Sequence, residues 1–348
     1  MVLLLPSCKK EIIVNDVGKS FNYSPQEIAQ GVNLGNVYNT VNFAAFTDIV
    51  NYDSTWYIVF RAGTKHVGGL NGEIKILKSK DAITWTVEEI INNDSLDLRD
   101  PKFVLDTLSN ILYFNYSGTK PGTKGTLYEF ITSYDELSKK WNYPRQLKYD
   151  SLNGSQFLFW RLTYSKGKTY SAAYHVPILG GYVNDDICLF DNVNDFTQYT
   201  AMGKLDLGNS PSEATIRFSE TGDLYFLIRR ETADVALGYS TSANYTNVKW
   251  LSNPLSVRLS SPNFLFYNDK LLISGRDQVD LKFKFFSYNL NTNKVEKTFV
   301  FPSGDETGYA GMSFNPANKD ELFMSYYVID GEESFIKLVR MDLKTFLQ

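Results

Sequence analysis

The chain has 348 residues, of which 43% are hydrophobic and 21% charged, and its formal net charge is −4. This composition indicates a folded globular protein and excludes a disordered one, and the lack of a basic run argues against a nucleic-acid partner. Aromatic residues reach 15%, which favours strands, and no apolar stretch is long enough to span a membrane.

The N-terminus predicts an attachment segment. Residues 1–8 form a short apolar run that ends in Pro-Ser-Cys and resembles a bacterial lipobox, with Cys8 as the lipidated residue, although the charged start of a signal peptide is missing. We expect residues 1–40 to be a lipoprotein-type segment and tether, with a strand or two that close the domain at 41–348. The protein would then lie outside the cytoplasm of a bacterium, in the periplasm or at the cell surface. The alternative is an apolar terminus without a role.

Six short apolar strands follow along the chain, each after a turn. Their first large apolar residues are Tyr57, Tyr113, Tyr170, Tyr225, Leu272 and Phe323. Successive members are 47 to 57 positions apart, and a period near fifty residues is the signature of a repeat architecture.

A second strand is predicted before each of these, across a turn rich in Gly, Asn, Asp and Pro. The candidates are residues 45–50, 99–105, 157–163, 212–218, 261–266 and 308–314. Helical periodicity is confined to residues 26–30 and the tail after Met341. Six repeats of three or four antiparallel strands predict an all-β chain folded as a six-bladed β-propeller.

The antiparallel pairing brings the start of each inner strand and the end of the strand after it to one rim of the central channel. The side chains expected there include four arginines, three carboxylates and two aromatic residues. They are Arg61, Arg229, Arg276, Arg161, Asp48, Asp100, Glu213, Trp160 and Tyr309. Because buried charges are costly unless they are paired, this set predicts a functional site at the rim.

Four segments resemble the sialidase (neuraminidase) superfamily and its BNR-repeat relatives. Residues 79–85 are similar to a shortened Asp-box turn, and Glu213 precedes Arg229 by sixteen positions, as in the fourth blade of that family. Arg276 lies at the end of the fifth of the six apolar strands, in the place of a substrate-binding arginine of that family, and Tyr309 lies in a Gly-rich segment like that of the family's sixth blade. The resemblance implies a sialidase-like, six-bladed glycoside hydrolase that removes a terminal, acidic sugar from a glycan.

The resemblance also implies roles for these residues. Tyr309 would attack the anomeric carbon while Glu213 accepts its proton, since a tyrosine is a weak nucleophile without an adjacent base. Arg229 and Arg276 would hold a substrate carboxylate through bidentate contacts.

Two family features are absent. The first inner strand has no arginine at residues 42–48, and Arg61 is the candidate that replaces it. The loop at 62–69 has no carboxylate, so the acid/base would be Asp48, Asp100 or His66.

Two other functions remain open. Asp48, Asp100 and Glu213 occur in the order found in furanosidase-type propeller glycosidases, where paired carboxylates carry acid/base and nucleophile roles. A propeller that binds glycans without cleaving them is the second alternative. The roles of two neighbouring residues also remain open. Trp160 either packs in the core or stacks against a bound sugar, and the Arg161 side chain faces either the rim or the outside of the propeller.

Neither a cofactor nor a metal is expected. The chain has two cysteines, Cys8 and Cys188, and two histidines, His66 and His175, which suggest neither a disulfide framework nor a zinc centre. We expect a monomer.

Overall fold

The structure is a computed structural model that describes residues 16–69, 72–121, 126–150, 155–176, 186–192, 195–241, 243–252 and 254–348. Cys8 and the expected lipobox lie outside these residues. The first half contains β1 (Ser20–Asn22), β2 (Gln26–Ala29), β3 (Val32–Thr40), β4 (Phe43–Tyr52), β5 (Thr55–Gly63), β6 (Glu73–Ser79), β7 (Thr84–Ile91), β8 (Asp97–Asp106), β9 (Ile111–Thr119), β10 (Leu127–Asp135), β11 (Lys140–Trp141), β12 (Arg145–Gln146), β13 (Lys148–Tyr149), β14 (Gln156–Leu158) and β15 (Thr163–Ser165).

The second half contains β16 (Lys168–Val176), β17 (Ile187–Asn192), β18 (Gln198–Lys204), β19 (Pro211–Phe218), β20 (Leu224–Arg230), β21 (Ala236–Ser240), β22 (Lys249–Trp250), β23 (Leu259–Tyr267), β24 (Lys270–Asp277), β25 (Phe283–Asn289), β26 (Lys294–Val300), β27 (Glu306–Asn315), β28 (Asn318–Asp330), β29 (Glu333–Asp342) and α1 (Leu343–Phe346). Among the described residues, no helix is long and apolar enough to cross a membrane.

The strands form six sheets in a ring, so the predicted six-bladed propeller is confirmed. The inner strands are β4, β8, the interrupted β14 and β15, β19, β23 and β27, and each pairs antiparallel with the next long strand of its sheet. Inner strands of neighbouring sheets contact one another around the ring, and β27 contacts β4. We number the sheets blade 1 to blade 6 in that order.

The segment before residue 41 takes part in the ring. β3 pairs with β29 of blade 6, and β1 pairs with β7 of blade 1. The expected closing strands are therefore present, and the propeller includes residues that the sequence had assigned to the tether. The prediction of a helix at residues 26–30 was wrong, because this segment forms β2, which pairs with β3. The C-terminal helix forms, with Asp342 accepting hydrogen bonds from the first-turn N–H groups.

Hydrophobic side chains fill the six spaces between adjacent blades. Between blades 1 and 2, for example, Val59 and Ile74 pack with Phe103 and Phe114. Successive side chains of a strand point to opposite faces, and each blade is covered on both faces, so strands such as β5 carry continuous apolar runs. The Asp-box-like turn connects β6 to β7. The Asp81 carboxylate there accepts the N–H groups of Ile83 and Thr84, each at 2.8 Å.

A bulge interrupts the pairing of five inner strands at the same place. The register shifts lie between Ala45 and Asp48, Arg99 and Lys102, Pro211 and Ala214, Ser260 and Asn263, and Gly308 and Gly311. Four bulge residues have positive φ, namely Phe46 (61°), Asp100 (56°), Ser261 (49°) and Tyr309 (54°). Such bulges re-aim side chains and are frequent beside active sites.

Candidate active site

The centre of the site is a hydrogen bond between blades 4 and 6. The Tyr309 hydroxyl donates to Glu213 Oε1 at 2.9 Å. Glu213 is only 5% exposed, and its other oxygen accepts the Ser261 N–H and pairs with Arg229 Nη1 at 3.1 Å. Ser261 Oγ in turn accepts the Tyr309 N–H at 2.9 Å. The bulges of blades 4, 5 and 6 thus fix the phenol and carboxylate against each other.

The Tyr309 phenol is held in its neutral form. Burial raises its pKa well above the usual value, and the charges of Glu213 and Asp100 add to the effect. A neutral phenol that is hydrogen-bonded to a glutamate side chain is a proton donor with its acceptor already in place. The sequence-based prediction that these two side chains meet is consistent with this geometry.

Arg229 holds the far side of the carboxylate. Its second nitrogen, Nη2, pairs with Glu231 at 2.8 Å, and Glu231 also accepts the Ser212 hydroxyl at 2.7 Å. Burial alone would lower the pKa of Arg229, but the charge of Glu213 raises it instead. Arg229 therefore stays a cation at the edge of the Tyr309–Glu213 pair.

Asp100 occupies the equivalent bulge of blade 2. It is 7% exposed, and its Oδ1 has no hydrogen-bond partner among the described residues. Burial raises its pKa, and the nearby charge of Glu213 contributes in the same direction. Tyr174 of β16 lies beside the same two carboxyls, and burial raises its pKa well above the usual value. The raised pKa values of Asp100 and Tyr174 therefore favour the neutral, hydrogen-bonding forms of both side chains in this buried part of the site, which we call the floor.

A second polar cluster lies on the blade 6 side. His66 Nδ1 is 2.5 Å from Glu306 Oε1, which also accepts the Tyr327 hydroxyl at 2.7 Å. Burial alone would raise the pKa of Glu306, yet its hydrogen bond with His66 and the nearby charges lower it overall. Arg276 is one of those charges. Its Nε is buried without a partner among the described residues.

Phe46 takes the place in blade 1 where the sialidase resemblance expects an arginine. Its ring is buried, with its centroid 4.5 Å from that of Tyr309 in an edge-on contact. The first inner strand therefore presents an apolar ring, and not a cation, to Tyr309 at this position. Arg229 and Arg276 remain as the arginines beside Tyr309 and Glu306.

The proposed rim role of Arg61 is wrong. Its guanidinium is fully buried and pairs with Asp97, and it also donates to the carbonyls of Leu98 and Lys65. The loop after β5 closes over this pair, since the Gly68 N–H donates to Asp97 at 2.9 Å. Arg61 therefore joins blade 1 to blade 2 and does not reach a substrate.

Asp48 and Arg161 are brought together, but not as a catalytic group. Arg161 Nη1 is 2.8 Å from Asp48 Oδ2, both side chains are buried, and the Phe103 N–H also donates to Asp48 at 2.8 Å. This arrangement saturates the Asp48 carboxylate. The expected catalytic role of Asp48 and the expected substrate-binding role of Arg161 both give way to a structural ion pair across the channel.

Trp160 forms part of the floor. Its side chain is buried, its ring centroid is 5.4 Å from that of Tyr309, and Lys102 Nζ lies 5.2 Å from the ring centroid. This supports core packing rather than an open sugar platform. Its place also interrupts the predicted strand at 157–163, which the structure divides into β14 and β15.

Sequence reasoning missed Glu306, Ser261 and Phe46. Aligning the six inner strands would have found them, because Phe46, Ser261 and Tyr309 share one position and Glu306 stands three residues before Tyr309. Among the described residues, no group of three or more His, Cys, Asp or Glu side chains could hold a metal ion.

Comparison with known proteins identifies the architecture. No family model matches the chain, and neither does any curated protein. A Dyadobacter fermentans protein of unknown function superimposes with a TM-score of 0.71 at 16% identity, covering 89% of this chain and 99% of that one. A mutant Trypanosoma rangeli sialidase that displays trans-sialidase activity gives 0.68 at 15% identity, covering 94% of this chain. The chain has the sialidase fold.

The same comparison places other glycosidases on this fold. A mutant α-L-arabinofuranosidase from Fusarium graminearum, in complex with an iminosugar inhibitor, gives a TM-score of 0.65 at 12% identity, covering 94% of this chain and 99% of that one. This chain spans 58% of the Trypanosoma rangeli chain. At these identities the likeness establishes the fold, and the chemistry must be argued from the side chains.

Proposed function

We propose that this protein is a sialidase-like, exo-acting glycoside hydrolase. The observation that carries the proposal is the 2.9 Å hydrogen bond from the Tyr309 hydroxyl to Glu213 at the channel mouth, with Arg229 on the other side of the carboxylate. The similarity in fold to sialidases and an arabinofuranosidase supports a carbohydrate substrate.

The reaction begins with the phenol. As the Tyr309 oxygen attacks the anomeric carbon, its proton passes to Glu213, the bond from that carbon to the leaving-group oxygen breaks, and that oxygen takes up a proton. Water then attacks the glycosyl–tyrosine, and Glu213 returns its proton to the Tyr309 oxygen. Two displacements at one carbon release the sugar with retained configuration.

The charges favour a sugar that carries an anion. Arg229 lies beside the reacting pair and Arg276 beside Glu306, and a neutral phenol places no negative charge next to an anionic substrate. Arginine forks bind carboxylates bidentately. With Phe46 in place of a third arginine, the contact with the anion is weaker than three cations would give, so neutral sugars belong in the test.

The furanosidase-like alternative uses Asp48, Asp100 and Glu213. In this structure the buried Asp48 carboxylate contacts Arg161 and the Phe103 N–H, and the Tyr309–Glu213 hydrogen bond has no part in that alternative, so we favour the tyrosine route. A glycan-binding propeller without activity remains as an outcome of the test.

The first experiment is a panel of aryl glycosides with sialyl, uronic and neutral sugars, given to the wild type, Glu213→Gln and Glu231→Gln. Glu231 touches Arg229 but not Tyr309, so it is the matched control. We expect hydrolysis by the wild type, a loss of about 10²- to 10⁴-fold in Glu213→Gln, and a much smaller loss in Glu231→Gln. Glycan binding without any hydrolysis would favour the binding protein, and equal turnover by Glu213→Gln would remove its assigned role.

We also propose that the protein is an extracytoplasmic lipoprotein anchored through Cys8. The support is the apolar run before Pro-Ser-Cys. Fractionation of cells that produce the wild type or Cys8→Ser tests this, since the proposal requires the wild type in the membrane fraction and the variant released from it.

A further inference from the structure

The proposed reaction leaves one proton unassigned. The leaving-group oxygen must receive a proton as its bond to the anomeric carbon breaks, and Glu213 is already occupied with the proton of Tyr309. A second titratable group must therefore face the substrate from another side. In the described part of the mouth, His66 and Asp100 are two candidates that lie near Tyr309.

We propose that His66 is the general acid and base for the leaving group, with Glu306 as its positioning residue. This inference rests on the proposed glycosidase function. It assigns the proton-transfer role to a histidine–glutamate pair on the blade 1 loop and blade 6.

The ring of His66 is fixed in place. Its centroid lies 4.9 Å from that of Phe46 and 5.4 Å from that of Phe43, both in edge-on contacts, and 6.3 Å from that of Tyr309. Nδ1 points to Glu306 Oε1, which also accepts the Tyr327 hydroxyl. This leaves Nε2, which has no hydrogen bond to a described residue, for the substrate.

Exposure separates His66 from Asp100. An exo-acting enzyme encloses the terminal sugar and releases the rest of the glycan outward, so the proton donor must lie at the rim. The His66 side chain is 39% exposed and that of Glu306 28%, whereas Asp100 is 7% exposed and lies on the floor beside Glu213. We therefore assign Asp100 to the hydroxyl groups of the bound sugar.

The proton balance closes. Imidazolium His66 gives its Nε2 proton to the leaving oxygen and becomes neutral, with Nδ1–H donated to Glu306. In the second step, neutral Nε2 accepts a proton from the attacking water. The carboxylate of Glu306 offsets the imidazolium charge, as in other histidines oriented by a carboxylate.

The test compares leaving groups on one sugar. The glycone that the wild type hydrolyses in the aryl panel is used as its 4-nitrophenyl glycoside, which needs little protonation, and as its methyl glycoside, which needs a proton. His66→Asn keeps a side-chain N–H for Glu306 but cannot titrate. We expect it to lose about 10²- to 10⁴-fold in kcat/KM on the methyl glycoside and less than about tenfold on the nitrophenyl one.

Two variants complete the experiment. His175→Asn alters the other histidine and should match the wild type on both substrates. Equal losses of His66→Asn on both substrates would overturn the proposal. It would also be overturned if Asp100→Asn, rather than His66→Asn, lost activity selectively on the methyl glycoside. If the wild type hydrolyses no glycoside of the panel, the proposed function itself fails, which is a distinguishable result.

The role of Glu306 has a readout that needs no substrate. Since the chain has two histidines, ¹⁵N NMR of His175→Asn reports on His66 alone. We expect neutral His66 to carry its proton on Nδ1, and Glu306→Gln to lose that preference. A proton on Nε2 in the free enzyme would contradict the assignment.

Discussion

The coupling between Tyr309 and Glu213 can be measured as a double-mutant cycle. Tyr309→Phe removes one oxygen and leaves the ring contacts with Phe46 and Trp160 in place. Glu213 then loses one hydrogen bond of about 1.5–3 kcal/mol but keeps Arg229 and the Ser261 N–H. We therefore expect a folded variant with a small loss of stability and a large loss of activity.

The rate effect follows from the shared proton. If Glu213 serves only to accept the Tyr309 proton, each single variant loses about 10³-fold in kcat/KM, and the double variant loses about the same. Independent residues would give about 10⁶-fold, so the coupling amounts to about 4 kcal/mol. The assay is kcat/KM on the aryl glycoside that the wild type cleaves, with thermal unfolding of each variant as the control. Additive losses would refute the shared-proton reasoning.

Three further predictions concern charges around the site. Burial raises the pKa of Glu129 well above its usual value, so the folded state binds a proton that the unfolded state has lost, and folding stability falls as pH rises. Glu129→Gln lacks this titration and should gain thermal stability relative to wild type between pH 4 and 8. A difference in unfolding temperature that stays constant over this range would contradict the prediction. Arg61→Met should lose about 3–5 kcal/mol of folding stability because it removes the guanidinium that pairs with the buried Asp97 and leaves that carboxylate only the Gly68 N–H and the more distant Arg99, while KM at a temperature where it is folded stays unchanged. Arg276→Met should raise KM for acidic glycosides and leave neutral ones unaffected, and an equal effect on both would remove its proposed contact with a substrate anion.

The recurrence of strands every fifty residues or so could be predicted from the sequence, because each strand is marked by residues that are neighbours in the chain. A turn and an apolar run recur at each blade. Successive side chains of a strand point to opposite faces of the sheet, so an apolar run covers both faces and is read directly from neighbouring residues. The strand at Gln26–Ala29 was not visible, since it forms only by pairing with β3. A short polar segment without its partner carries no period-two signal.

The site could be predicted only where the side chains follow the blade repeat. Glu213, Arg229 and Tyr309 meet as expected because bulges in blades 4, 5 and 6 aim them at one another. The direction of Arg61 could not be read, because it depends on a loop that closes over it. Arg61 and Arg276 hold equivalent positions, each opposite the residue before a bulge.

The different outcomes for these two arginines come from what covers them. The Lys65 carbonyl binds Arg61, and the Gly68 N–H binds its partner Asp97. In blade 6, by contrast, Glu306 is engaged by His66 and Tyr327, and the Arg276 Nε has no hydrogen-bond partner among the described residues. Loop packing of this kind is a tertiary effect that strand periodicity does not encode.

The most direct test of the central claim is to identify the atom that forms a bond to the sugar. A fluorinated glycosyl fluoride, made with the sugar that the wild type hydrolyses, slows the second step and traps the intermediate, and peptide mass spectrometry locates it. We predict one adduct, on Tyr309, which is absent from Tyr309→Phe. An adduct on Asp100 or Glu213, or release of the sugar with inverted configuration, would contradict the account.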